Sequence, residues 1–560
     1  MRNSQRGLWR PEDELVLRCA RVQLRPADAQ RIAELLGADL DWTYLLPQAN
    51  RQAVVPLLAH HLLSSHGDAL PSAWADVLRQ CQQGRVRHNL NLTAELLCIL
   101  ERLREHGIRA VPYKGPVLAA ALYGNLALRE FSDLDIIVRH RDIPAALDTL
   151  VASGYQPQFH LEHVRRHPDQ APGQYEFTRP GSKLLVELHS DRTLRYFPVP
   201  PDLEAIWKRL QGVELGGRVV QTLGPGDLLV FLCVHGAKHF WQRLAWICDV
   251  AELAGRASLR WPDVFEQARR LDAERMVLLG LSLARDLLGA RLAEEVEARL
   301  RSDRTLPAMG AEVESMLFAV SPRAPGLWTR FRFRARMRSN SWDGVRYCLR
   351  LATTPTDEDW SAAGLPRRLS PLYALIRPWR LVRNYGLLGR RFPPDPDLGQ
   401  FEPTPGEVVE RMLELAELRT GDVVYDLGSG DGRGVIRAAE KYGASGVGVE
   451  LDARLIRQAR ENARRHGVER LVRFVHDDAK RVNLARASVV LLYLPCLANL
   501  ALRSKLQAEL PAGARIVARG AHMGDWSPER TEAVVDSGGT PTTLYLWRIP
   551  AGGRASRRVG

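Results

Sequence analysis

The sequence predicts an α/β multidomain chain, in which a helix-rich α+β half precedes a doubly wound, Rossmann-like domain. Three observations carry that prediction. The 560 residues exceed what one core holds, because domains run to roughly 100–200 residues. From 406 to 550 apolar strand-like runs and helical patterns alternate regularly, as a parallel sheet with crossover helices requires. Before about residue 400 helical periodicity dominates, and strand-like runs are confined to 96–200.

In chain order, 1–95 reads as helices, with Leu15, Cys19 and Val22, then Ile32, Leu35 and Leu36, at helical spacing and with Pro26 and Pro47 as breaks. The 96–200 core continues a helix from 92–105 into a strand at 108–111. A Lys114-Gly115-Pro116 turn and a helix through Tyr123 follow. Strands are expected at 134–138 and 184–188, with a helix over 143–152 ended by Gly154. Residues 201–327 are read as helical. The 328–400 stretch is arginine-rich at 328–338 and 367–391, read as solvated faces, and closes with a proline-rich linker at 392–397 that sets a boundary before 401–550. A basic tail occupies 551–560.

Hydrophobic residues make up 45% and charged residues 26%, which excludes collagen-like, disordered and disulfide-stapled chains. The longest apolar runs, 228–234 and 487–497, are too short to span a bilayer, so no transmembrane helix is expected. Residues 1–14 carry three arginines and three acids with no apolar segment, so a secretory signal is not expected and the location is read as cytoplasmic. None of the seven cysteines forms a CxxC pair, and neither a zinc cluster nor a disulfide framework is expected. The net charge is +13, yet only seven of the 78 cationic side chains are lysines. That bias reads as codon usage, and it argues against nucleic acid as the main partner.

The most informative stretch is Asp426-Leu427-Gly428-Ser429-Gly430-Asp431-Gly432, where an apolar strand enters a glycine-rich turn and then a helix at 434–442. Glycines there permit positive φ and close approach of a ligand, and the helix N-terminus offers free N–H groups. A second strand ends at Glu450, 24 residues after Asp426, where a carboxylate can accept both hydroxyls of a ribose. A third ends at His476-Asp477-Asp478, where an acid can accept from an adenine amine. Dinucleotide binding shares the first two features. The acid that opens the turn, with its glycine spacing, resembles the first motif of class I S-adenosylmethionine-dependent methyltransferases. With 491–495 and Gly524-Asp525-Trp526, the stretch is similar to a bacterial group akin to the seven-strand protein lysine methyltransferases that act on ATP-synthase c-subunits. The resemblance implies that Asp426, Gly428, Gly430 and Gly432 hold the methionine part of S-adenosyl-L-methionine, Glu450 the ribose and Asp478 the adenine. It places Tyr493 on the acceptor side as a candidate catalytic residue. No Asn/Asp-Pro-Pro-Tyr motif follows the fourth strand, which leaves the acceptor open among small molecule, peptide and protein lysine.

In the first half, Asp133 and Asp135 stand at i and i+2 of a strand, on one face. Like charges so close repel unless a cation lies between them, and Mg²⁺ uses few protein carboxylates and leaves sites for phosphates. Glu187 on a neighbouring strand supplies a third acid. The bland alternative is a solvated pair at a strand edge. Around these residues stand Tyr113-Lys114-Gly115-Pro116, Leu122-Tyr123-Gly124, Arg129-Glu130-Phe131 and Glu187-Leu188-His189. Together they resemble the polymerase-β-type nucleotidyltransferase superfamily, more narrowly an uncharacterised bacterial nucleotidyltransferase family whose helical part also carries His235-Gly-Ala-Lys238-His239 and Trp246-x-x-Asp249. The resemblance implies Asp133, Asp135 and Glu187 as Mg²⁺ ligands, Lys114 and Gly115 at the start of a phosphate-facing helix, and an NTP co-substrate. Lys114-Gly115-Pro116 replaces the superfamily's Gly-Ser or Gly-Gly pair. His235 and His239 lack a third zinc ligand and read as a hydrogen-bonded or substrate-contacting pair; Cys233 and Cys248 read as small apolar packing groups.

The expected function is a bifunctional enzyme, a Mg²⁺-dependent nucleotidyltransferase fused to an S-adenosylmethionine-dependent methyltransferase. One alternative keeps the methyltransferase and makes the first half a degenerate nucleotide-binding or acceptor-recognition module. Another is a non-catalytic, antitoxin-like or regulatory binding protein.

Overall fold

The computed structural model describes residues 9–159, 161, 164, 174–179, 184–190, 203–256, 258–319, 326–338, 341–353, 372–385, 404–494, 496–536, 539 and 541–550. The linker at 392–397, the tail at 551–560 and Pro495 lie outside them. The chain forms two compact units, one of Met1–Leu40, Gln48–His61 and Gly84–Pro393, the other of Asp41–Pro47, Leu62–Gln83 and Pro394–Gly560.

The first unit holds a five-stranded sheet of β1 (Ala110–Pro112), β2 (Asp133–Val138), β3 (Gln156–Pro157), β4 (Gln174–Thr178) and β5 (Leu185–Ser190), in the order β1-β2-β5-β4-β3. The central pair, β2 and β5, is parallel, with Asp135 opposite Glu187 and Ile137 opposite His189. Leu134, Ile136 and Val138 of β2 join Val186 and Leu188 of β5 in the core. Because side chains alternate along a strand, that packing turns Asp133, Asp135, Glu187 and His189 to the other face.

Two expectations about local structure give way. The 201–327 stretch, read as helical, contains a hairpin of β6 (Gln211–Leu215) and β7 (Arg218–Thr222). Its turn, Gly216-Gly217, has φ of 59° and 74°, the conformation that a two-residue hairpin turn requires. Pro47, expected to break a helix, lies inside Trp42–Arg51. Leu45, Leu46 and Ala49 are fully buried there. At about 1.5–3 kcal/mol for each leucine, that burial outweighs an interior proline's cost of about 3 kcal/mol.

The second unit holds β8 (Val423–Leu427), β9 (Ser445–Glu450), β10 (Val472–His476), β11 (Val489–Leu492), β12 (Arg515–Arg519), β13 (Arg530–Val535) and β14 (Pro541–Arg548). They form one seven-stranded sheet in the order β10-β9-β8-β11-β12-β14-β13, with only β14 antiparallel to its neighbours. Helices cover both faces: Val424 and Leu491 belong to one core, Tyr425, Leu427 and Leu492 to the other. The strand order reverses between β8 and β11, and in such sheets the crevice beyond the strand ends at that point receives the ligand. Within this unit Trp74 stacks on Trp42 at 6.0 Å, and its indole lies against Gly524. Among the described residues, no helix is long and apolar enough to cross a membrane.

Candidate active sites

The crevice of the second unit is shaped by glycine. Gly428, Gly430 and Gly432 have φ of 94°, 54° and 85°, which side-chain-bearing residues rarely adopt. A Cβ at Gly428 would meet the Leu494 side chain at 2.6 Å, and one at Gly432 the Phe474 ring at 2.7 Å. The turn is pinned to β9 by Gly428 N–H and Ser429 N–H, which donate to the Val449 carbonyl at 2.9 and 3.0 Å. It leads straight into the helix Arg433–Tyr442.

Glu450 ends β9 with its carboxylate buried in the same turn. Oε2 accepts from Gly430 N–H at 3.0 Å, and Oε1 accepts from Leu451 N–H at 2.8 Å and Asp452 N–H at 2.9 Å. A carboxylate has about four acceptor positions, so one on Oε2 remains open. Asp426 is buried, and its carboxyl is pushed up to about 7 by burial and then by the neighbouring Glu450 and Asp431. Asp431 is itself paired with Arg433, at 2.9 Å to Nε and 2.6 Å to Nη2. Asp478 is half-buried at the end of β10, where it accepts from Lys480 N–H at 2.9 Å. Across the switch point Tyr493 follows β11, and the Arg519 guanidinium lies 4.3 Å above its ring. Ser429 Oγ is buried in the turn without a hydrogen-bond partner. The spare hydroxyl, the positive-φ cradle and the open acceptor on Glu450 fit S-adenosyl-L-methionine.

In the first unit the structure brings Asp135 and Glu187 together with His189, each offering a ligand atom within 4.8 Å of the others. Asp133 shares their face two residues along β2. Asp135 Oδ1 accepts from Lys114 Nζ at 2.9 Å, from His189 Nε2 at 2.9 Å and from Tyr113 OH at 3.3 Å. Glu187 Oε2 accepts from Gln174 Nε2 at 2.8 Å and lies 3.4 Å from His189 Nε2. Burial opposes ionisation of Asp135, but Lys114 and His189 outweigh it and hold the carboxyl below its usual range. Asp133 goes the other way, to about 7, through burial and the charge of Asp135. His189 is lifted because its bonds to Asp135 and Glu187 outweigh burial. Gly115 has φ of 57°, and a Cβ there would stand 3.1 Å from the Asp133 carbonyl. The Lys114-Gly115 turn can therefore lie directly on β2. Asp135 Oδ2 is buried and unpartnered, so an oxygen is available to a divalent cation.

Asp249 is held by an arginine and a tyrosine. It is buried in a two-pronged pair with Arg129, both contacts 2.8 Å, and accepts from Tyr123 OH at 2.7 Å. His235 and His239 cluster with Trp246, ring centroids 4.7–5.2 Å apart. Burial, then the Lys114 charge at His235 and the Lys238 charge at His239, keep both imidazoles neutral. His189, which sequence reasoning left without a role, joins Asp135 and Glu187; its signal was its place two residues after Glu187 on one strand. Ser429 and Arg519 carried no signal, since only burial without a partner marks them.

Comparisons with known proteins match two different families along the chain. A family model described as an uncharacterised nucleotidyltransferase matches residues 38–289, and one described as the ANTKMT methyltransferase domain matches residues 426–530. A protein-lysine N-methyltransferase of Saccharolobus islandicus is 38% identical over 150 residues, 27% of this chain and 92% of that protein. An adenine nucleotide translocase lysine N-methyltransferase of Mus musculus is 38% identical over 120 residues, 21% of this chain and 52% of that protein, so this chain spans about half the length of that relative. Among solved structures, an RNA methyltransferase from Salinibacter ruber in complex with S-adenosyl-L-homocysteine is 49% identical, covering 26% of this chain and 94% of that one with a TM-score of 0.25.

Proposed function

The chain belongs to the protein-lysine N-methyltransferases, and from that premise we propose that its second unit methylates a lysine nitrogen of a protein. The observation that carries this reading is the convergence of the Asp426–Gly432 turn, Glu450 and Tyr493 at the reversal of strand order between β8 and β11. S-adenosyl-L-methionine supplies a methyl group bound to a positively charged sulfur. In the proposed site, Asp426 and the three glycines hold its methionine part. Glu450 accepts from the ribose on its open lone pair, and Asp478 accepts from the adenine amine. The acceptor nitrogen has to arrive neutral, with its lone pair toward the methyl carbon, past Tyr493; its proton is lost to water on the way in.

For the first unit we propose metal-dependent nucleotidyl transfer from an NTP, with Asp133, Asp135 and Glu187 as Mg²⁺ ligands, His189 beside them, and Lys114-Gly115 at the phosphate end. One observation favours a second reading, acceptor recognition without turnover: the Lys114 ammonium already stands on Asp135, where a metal ion would be expected.

The test is a thermal shift of the full chain with S-adenosyl-L-methionine and, separately, with NTP plus Mg²⁺. Both ligands should raise Tm. No shift with S-adenosyl-L-methionine overturns the methyltransferase assignment, and no shift with NTP leaves the first unit to the second reading. Radiolabelled methyl transfer into a cell extract should place the label in protein as methyl-lysine; label in RNA or small molecules would refute the acceptor class.

A further inference from the structure

On the acceptor side of the crevice the two buried arginines of β12 behave differently. Arg515 is fully used by the fold: it donates to the Ala416 carbonyl at 2.8 Å and the Glu417 carbonyl at 2.9 Å, and it pairs with Asp422. Arg519, four residues on, is 7% exposed and stands over the Tyr493 ring at 4.3 Å. Its Nε and Nη1 are buried without a hydrogen-bond partner. A buried cation with unused N–H groups is costly to maintain.

Its position ties it to the crevice. Ala518 pairs with Leu492, so the next residues of the two strands, Arg519 and Tyr493, meet at the sheet's C-terminal edge. Leu494 then folds over Gly428 of the glycine turn. The helix Cys496–Glu509 starts immediately afterward, and its Asn499 is fully buried with both Oδ1 and Nδ2 unpartnered. Arg503, one turn on and on the same face, donates to the Met523 carbonyl at 3.2 Å. That helix face therefore turns toward the segment that follows Arg519.

We propose that Arg519, backed by Tyr493, is a specificity-determining group of the methyltransferase that binds a carboxylate of the acceptor protein beside the lysine to be methylated. A guanidinium is planar, permanently charged and matched to a carboxylate. Arg503 is already paired with Asp525, so the site presents one uncommitted positive charge, the complement of a carboxylate rather than of a phosphate. The same charge repels an ammonium, which suits a reaction that needs the lysine neutral.

The inference rests on the methyltransferase reading, and the experiment separates the two. The full chain, saturated with S-adenosyl-L-homocysteine, is titrated by calorimetry with butyrate and with n-butylamine at pH 7. Butyrate should bind and n-butylamine should not. Arg519→Gln should weaken butyrate at least tenfold while S-adenosyl-L-homocysteine affinity stays within twofold, and Arg519→Lys should retain part of the butyrate affinity. Butyrate failing to bind the wild type, binding Arg519→Gln equally, or losing to n-butylamine would each overturn the assignment. If S-adenosyl-L-homocysteine itself does not bind, the methyltransferase reading falls and this inference falls with it.

Discussion

Asp135 in the first unit and Asp426 in the second are both buried carboxylates on central parallel strands, and their surroundings are opposite. Asp135 accepts from an ammonium and an imidazole. Asp426 makes no ion pair among the described residues, and Glu450 and Asp431 push it toward protonation. Asp135 thus carries its counter-charge within the fold, while Asp426 has none among the described residues and is suited to a cationic ligand. S-adenosyl-L-methionine is such a ligand. The contrast explains why two sites of similar acid content call for different chemistry.

The sharpest way to break the contrast is to remove the built-in cation. Lys114→Met leaves Asp135 buried with less compensation, which costs about 3–5 kcal/mol. Tm of the first unit should fall by roughly 4–7 °C, at about 1.3 °C per kcal/mol for a unit of its length. Added Mg²⁺ should restore much of that loss if the Asp135–Glu187–His189 group binds metal, and differential scanning calorimetry with and without Mg²⁺ decides it. A smaller effect is expected at Glu450. Glu450→Ala removes a charged acceptor worth about 1.5–3 kcal/mol, so affinity for S-adenosyl-L-methionine should drop about 10- to 100-fold. Because three backbone N–H groups lose their partner as well, the ligand-free Tm should also fall. An unchanged Tm would show that those amides find water.

The mildest effect is a pH dependence. The folded carboxyl of Asp426, at about 7, lies above the usual value of about 3.9. The folded state therefore holds this proton more tightly than the unfolded chain does. The resulting stability is fully present below about pH 4 and is lost as the pH rises through about 7. Ionisation favours a positively charged ligand, so S-adenosyl-L-methionine should bind several-fold more tightly at pH 8 than at pH 6. Asp426→Asn should flatten that profile, and titration at the two pH values measures it.

Much of this was legible where chemistry and local pattern coincide. Alternation along β2 placed Asp133 and Asp135 on one face, and the spacing of Gly428, Gly430 and Gly432 marked the turn that the φ values require. What stayed hidden depends on long-range packing. No local signal says that Lys114 bonds to Asp135, that Glu450 is held by amides of its own turn, or that Asp249 is committed to Arg129. The Gly216-Gly217 hairpin did carry a signal, and the helical periodicity on either side masks it.

The stacking of Trp42 on Trp74, and of Trp74 against Gly524, has a consequence in time as well as in space. Segments 41–47 and 62–83 belong to the same unit as 394–560, so the ribosome makes the two parts of that unit far apart. At about 5–20 residues per second, roughly 22–88 s separate the synthesis of Gln83 from that of Gly524. For that interval the two indoles lack the Gly524 surface on which they pack. A chaperone that shields exposed aromatic side chains would find its binding site on the nascent chain there, before any methyltransferase exists to complete.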